Sequence, residues 1–473
     1  MADRNRSLPS AQLDFQEDRP VQSCQGFRNI LEKGIVVTAK VDHKQHFISV
    51  HNTGITLVIP EGAVTEGECK TIYVGVSWEN ADRCNSIGGK RRVGPTVVCG
   101  PPGTQFNKSV ILSFPHCVRF EKHQPCPLTV LSRQTNSDGV EEDDWSDCTD
   151  DDTRTAILEN RCFIFTKHFT KYTCVCRRLN GSHERLRLGI TVYHTAISPT
   201  LPITIRVYIG NANPDEQECI KFQESSLRGK LSDASKYINV HKDNDLNIEV
   251  TVDSGGYICK DYNLQTMSID DLWADNCVDN RSFVLTKCGR TNDPCAYSVC
   301  VYQGLRPDGR DQVAMHVVVP ETCTAEEANG VPDSSKDEYQ LPSPVQETKK
   351  PGCYYYWPES SREDHRKIYQ ADENTRKNLI RKLEENDNWR SLAEAFGIED
   401  ESIMQHIRIR QGETDTASER LLEILMSLNV SLPDVFLKLK DIDLPDAANI
   451  LENYFKINQI DYAHRLPLPI QQS

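Results

Sequence analysis

A chain of 473 residues has room for two to four domains, and 38% hydrophobic with 26% charged residues is the composition of a soluble protein with sizeable cores. The net charge of −15 argues against nucleic acid as the main partner, because phosphate neutralisation needs clustered Lys and Arg. Apolar runs are strand-sized, short of the ~18 residues that a membrane helix requires.

Residues 1–34 are polar and aperiodic, which predicts a disordered arm with no apolar signal core. From 35 to 178, short β-branched and aromatic runs alternate with turn residues. Examples are Ile55, Thr56, Leu57, Val58 and Ile59, followed by Pro60 and Gly62, a pattern that suggests a β-sandwich. The acidic stretch 141–152 reads as a solvated loop before two further strands, around Phe163 and Val175. A second β-rich region covers 186–325, and the alternation of Leu246, Ile248 and Val250 marks a half-buried strand. Residues 326–365 are acidic and rich in Pro and Ser, hence a linker, with the aromatic cluster Tyr354, Tyr355, Tyr356 and Trp357 inside it. The eighteen cysteines are dispersed and form no C-x-x-C pair, so reduced thiols packed as small hydrophobes are expected rather than a disulfide framework.

Helical periodicity takes over at 366–458. Leu379, Ile380 and Leu383 mark a first helix; Trp389, Leu392, Ala393 and Phe396 mark a second that ends at Gly397. Ile403, Ile407 and Ile409 lie on a third. Thr416 and Glu419 form a capping box before Leu421, Leu422, Leu425 and Leu428. Ser431 precedes a fifth helix, Pro445 opens a sixth, and 459–473 is a tail. Six short helices in so few residues predict a compact bundle.

Residues 388–393 (NWRSLA) within such a bundle resemble a death domain. Residues 52–64 (NTGITLVIPEGAV), 94–103 (GPTVVCGPPG) and 106–117 (FNKSVILSFPHC) resemble the signature of a ZU-5 domain. The second β region then corresponds to a UPA domain. This order resembles the cytoplasmic part of the uncoordinated-5 netrin receptors, and still more the short uncoordinated-5 C-like proteins. The resemblance implies a multidomain fold: two all-β sandwich-like domains, ZU-5 and UPA, followed by an all-α six-helix death domain. It implies a cytoplasmic signalling adaptor that recruits other death-domain proteins in apoptotic or inflammatory, NF-κB-type signalling. Self-association through the death domain is a further expectation, and no cofactor is implied. The N-terminus lacks the apolar anchor of the vertebrate C-like proteins, which argues against membrane attachment. Two alternatives stay open: an ankyrin-like cytoskeletal scaffold acting through the ZU-5 and UPA domains, and the cytoplasmic part of a netrin receptor in axon guidance.

No enzyme triad stands out, so at most intramolecular autoproteolysis is expected. In related ZU-5 domains a His-Phe-Ser step is associated with self-cleavage, and here His168, Phe169 and Thr170 occupy such a step. His168 would act as general base toward the Thr170 hydroxyl, which attacks the Phe169 carbonyl in an N→O acyl shift. Threonine replaces serine, and its methyl narrows the permitted geometry.

Overall fold

The computed structural model describes residues 34–319 and 368–460, apart from 79–89, 120–127, 135–144, 149–152, 178–184, 196–201, 274–277, 289–294, 305–311, 409–414 and shorter intervals. Except for Gly34 and Ile460, the expected arm, linker and tail lie outside the described residues.

The first β unit is a pair of antiparallel sheets. One runs in the order Gly34–Val41, Lys70–Ser77, Thr96–Gly100, Lys171–Arg177, Leu128–Arg133, Ser146–Asp147, with Lys90–Arg92 also on Lys171–Arg177. The other runs Arg154–Ile157, Arg161–His168, Gln105–Pro115, Ile55–Ile59, His46–Val50. Side chains alternate across each strand, so Ile55, Leu57 and Ile59 join Val74, Val76, Cys174 and Cys176 in the interior. Burial pushes the Cys174 thiol pKa well up, which keeps it an inert hydrophobe. The acidic stretch 141–152 is not wholly a loop. Ser146 and Asp147 pair with Ser132 and Leu131, because Trp145 packs on Leu131 and Val175 and Cys148 is buried.

The second β unit also has two sheets. Lys230–Leu231, Arg185–His194, Ile203–Asn211, Val278–Lys287 and Tyr257–Cys259 form one, with Lys236–Val240 also on Arg185–His194. Leu264–Met267, Leu246–Ser254, Cys295–Gln303 and Gln312–Val319 form the other. Leu246, Ile248 and Val250 point into its core, as their alternation predicts. The all-β expectation is incomplete here, because the unit contains helices α1 (Pro214–Ser226) and α2 (Ile269–Trp273). Helix α1 starts after an extended Asn213, with Pro at its first turn and the acids Asp215 and Glu216 near its positive end. Its buried face carries Asp215, Glu216 and Glu224 beside Cys219 and Ile220, so hydrophobic periodicity does not reveal it.

The two units share one continuous hydrophobic cluster. The strand Val118–Arg119 leaves the first unit and pairs with Arg185 and Leu186 of the second. A buried polar network reinforces the seam. Arg91 Nη2 donates to Asn211 Oδ1 at 2.7 Å, and Asn213 Nδ2 donates to the Val93 carbonyl at 2.9 Å. The Glu216 carboxylate accepts from the Asn211 backbone at 2.6 Å and side chain at 2.9 Å, and lies 3.5 Å from Arg92. At the other end of α1, Arg206 holds Glu224 by two 2.6 Å bonds.

Among the described residues, the C-terminal block contains six α-helices: α3 (Glu373–Glu384), α4 (Asn388–Ala395), α5 (Glu401–Ile407), α6 (Ala417–Ser427), α7 (Leu432–Asp441) and α8 (Pro445–Ile457). Asp372 caps α3, and Thr416 with Glu419 closes the expected capping box of α6. Ser431 with Asp434 forms a second box on α7, Pro445 opens α8, and Gly397 after α4 has φ +69. Leu379, Leu383, Trp389, Leu392, Leu421, Leu425, Phe436, Leu451 and Phe455 fill the bundle core. Ile409 lies outside the described residues. No described helix is long and apolar enough to cross a membrane.

The seam network predicts a specific weakness. Glu216→Ala removes the carboxylate facing Arg92 and both Asn211 donors, and should destabilise the β body by about 3–5 kcal/mol. Urea unfolding of the full chain followed by tryptophan fluorescence measures it.

Candidate functional site

Three neighbouring strands of the second sheet in the first β unit are apolar on both faces. In Arg161–His168, Cys162 and Ile164 point inward while Phe163 and Phe165 point outward. Val58 and Ile111 do the same on the adjacent strands Ile55–Ile59 and Gln105–Pro115. An outward apolar face on a sheet needs a cover. Here the cover is the helical block, whose core cluster is continuous with Val58, Ile111, Ala156, Phe163 and Phe165.

Helix α6 is the contact element. Each of its residues except Glu419 is buried, because one side meets the bundle core and the other meets the sheet. The sequence Leu421, Leu422, Glu423, Ile424, Leu425, Met426 is apolar around nearly its whole circumference, which carries this signal. Polar contacts fix the docking. Thr56 Oγ1 donates to the Ser427 carbonyl at 2.8 Å, Lys108 pairs with Asp415, and Arg376 on α3 donates to the Gln45 side chain. The His406 ring on α5 stacks on Phe165 with centroids 3.9 Å apart.

One acid is enclosed in this contact. Glu423 on α6 is 7% exposed and accepts a 3.4 Å hydrogen bond from Gln45 Nε2. Burial, with repulsion from Asp415 and Glu419, pushes its pKa up to about 8, against the pull of Lys108 and Arg420.

The His168–Thr170 step lies elsewhere in the same unit. Phe169 and Thr170 alone connect the strand Arg161–His168 of one sheet to Lys171–Arg177 of the other. Phe169 is 3% exposed and meets Phe106 edge to face at 4.9 Å. Its N–H donates to the Thr104 carbonyl at 3.3 Å. The His168 carbonyl accepts from Thr166 Oγ1 at 3.0 Å and from the Tyr172 hydroxyl at 3.3 Å. The Thr170 hydroxyl is buried and donates to the Arg133 carbonyl, while His168 Nδ1 lies 3.4 Å from Thr166 Oγ1. The three residues are therefore together in one tight connection, but the hydroxyl is aimed at Arg133 and the imidazole at Thr166. Attack on the Phe169 carbonyl would require both side chains to turn. Neither Phe169 nor Thr170 has a positive φ.

The enclosed acid makes the docking pH-dependent. Its folded pKa stands above the ordinary 4.5, so the interface favours protonated Glu423. That stability is complete below about pH 4.5 and declines as pH rises through about 8. Wild type should lose at least about 2 °C more in Tm than Glu423→Gln between pH 6 and 9, by scanning calorimetry of the full chain.

Comparison with known proteins bears on the β body. The family model described as ZU5 domain matches residues 37–133. These residues supply most strands of the first unit, while Ser146–Asp147, Arg154–Ile157, Arg161–His168 and Lys171–Arg177, which complete its sheets, follow the matched region. Over 214 residues the chain is 31% identical to UNC5C-like protein of Mus musculus, an alignment covering 44% of this chain and 39% of that protein. The chain spans about two-fifths of the length of that curated relative. The chain thus carries a ZU5 domain and is similar over part of its length to the UNC5C-like protein.

Proposed function

We propose that the chain is an intracellular signalling adaptor in which the C-terminal bundle is a death domain and the second β unit a UPA domain. The death domain recruits other death-domain proteins in apoptotic or inflammatory signalling, and its docking on the ZU5 sheet masks it. The observation that supports masking is the burial of α6 on both sides, because a partner that needs this helix or its rim must first displace the sheet. The closed and open forms are then two states of one chain, and a partner binds with its affinity reduced by the open fraction.

Opening the interface tests this reading. Phe165→Asp places a carboxylate in the apolar contact where this ring stacks on His406, without touching the inner core of the sandwich. It should raise capture of a death-domain partner by about tenfold or more over wild type, matching the isolated segment 366–473. Equal capture by wild type, variant and segment would end the masking idea.

Autoproteolysis after Phe169 remains part of the proposal, with Thr170 as nucleophile and His168 as base. What favours it is the two-residue connection that joins the sheets there. The full chain of 53.6 kDa should resolve on a denaturing gel into fragments 1–169 and 170–473, and Thr170→Ala should stay intact. An intact wild-type band after prolonged incubation removes the cleavage step.

A further inference from the structure

A cavity of about 170 Å³ opens at the seam between the two β units. The first unit contributes His116, Arg119, Asn160 and Arg161 to its wall, and the second contributes Arg187. Three arginines therefore line one space, and no carboxylate is among the described residues that line it.

The backbone holds these side chains in fixed relation. Val118–Arg119 is hydrogen-bonded into the second unit's sheet beside Arg185 and Leu186. The Arg187 N–H donates to the Cys117 carbonyl at 2.8 Å, and the Arg187 carbonyl accepts from Ala212 at 3.0 Å. The Arg187 guanidinium lies over the Tyr237 ring, 4.4 Å from its centroid, a contact that orients it without neutralising it.

Arg161 is the most informative member. Its Nε donates to Ser113 Oγ at 2.9 Å and its Nη2 to the Gly54 carbonyl at 2.7 Å, both neutral acceptors. Nη1 makes no hydrogen bond among the described residues. The group is withdrawn far enough from water that burial lowers its pKa to about 10. A guanidinium in such a place is ordinarily matched by an anion. His116 reports the same field. Its Nε2 bonds the Leu158 carbonyl at 2.8 Å, and burial with the charges of Arg119 and Arg161 lowers its pKa to about 4. The imidazole is neutral at physiological pH and adds no positive charge of its own.

We propose that this cavity is a binding site for a phosphate group, held by Arg119, Arg161 and Arg187 and bridging the two β units. A tetrahedral dianion offers oxygens in several directions and suits guanidinium donors that arrive from separate strands, whereas a single planar carboxylate fits one fork. The group is either inorganic phosphate or the phosphate of a small carrier, such as an inositol phosphate or the headgroup of a phosphoinositide. Binding needs both units in their native relation, so it stabilises the seam by linkage.

The full chain is titrated with inorganic phosphate and with inositol hexakisphosphate by calorimetry, and sedimented with vesicles containing or lacking a phosphoinositide. Binding of one equivalent in any arm, with a rise of about 3 °C or more in Tm at saturation, is expected, and the arm that binds tightest identifies the source. Arg187→Gln should weaken that binding at least tenfold, and Arg187→Lys, which keeps the charge without the fork, should recover only part of it. Wild type provides a measurement independent of variant folding: the bound anion offsets the Arg119 and Arg161 charges, so the His116 pKa read by NMR moves upward. Absence of binding in every arm overturns the proposal. So does binding that Arg187→Gln and the His116 resonance do not register.

Discussion

The outward apolar face of the second sheet in the ZU5-bearing unit is the constraint on which the rest of the molecule depends. Val58, Ile111, Phe163 and Phe165 are as hydrophobic as the residues pointing inward from the same strands. A sandwich with that face in water would expose a contiguous apolar patch, a known liability for association. Covering it determines where the helical block sits, which helix touches it, and why that helix has almost no solvent face. The nearby polar groups act differently. Lys108 with Asp415, Thr56 with the Ser427 carbonyl, and Gln45 between Arg376 and Glu423 set the register of docking, while apolar area supplies the drive.

The seam between the β units works on another principle. Apolar continuity is present, but the distinctive contacts are buried and charged: Arg92 with Glu216, Arg91 with Asn211, Asn213 with Val93. Such groups add modestly to net stability and strongly to specificity, since any slip leaves one of them without its partner. The first helix of the second unit therefore reaches the seam with acids on its buried side. Its position fixes the two units relative to one another, and both the arginine-lined cavity and the docking face inherit their geometry from that.

Legibility in the sequence followed the kind of signal each element carries. Helix starts with a local chemical mark were readable in place: Thr416 with Glu419, Ser431, Pro445, and Gly397 as a stop. The alternation of Leu246, Ile248 and Val250 likewise gave the buried face. Pro214–Ser226 was not readable by periodicity, because its buried side is polar. Its start signals, Asn213, Pro214 and the following acids, were present and would have located it. The double-sided strands were visible as unbroken apolar runs, yet a run alone does not say what lies on the second face. The candidate cleavage residues were legible as a string, and the structure brings them into one connection. The direction of the Thr170 hydroxyl, toward Arg133 from a distant strand, depends on tertiary contacts that no local pattern encodes.

The two-residue link at Phe169 and Thr170 has a mechanical consequence. The strand before it belongs to the sheet that carries the bundle, and the strand after it sits inside the opposite sheet, paired with Leu128–Arg133, Thr96–Gly100 and Lys90–Arg92. A severed link would leave a central strand of one sheet on the same fragment as the helical block. Parting the two pieces would then mean extracting that strand, so their lifetime together would be governed by the unfolding rate of the sandwich rather than by an affinity. A chain nicked there would keep its shape while losing its continuity, ready to come apart only under conditions that unfold the domain.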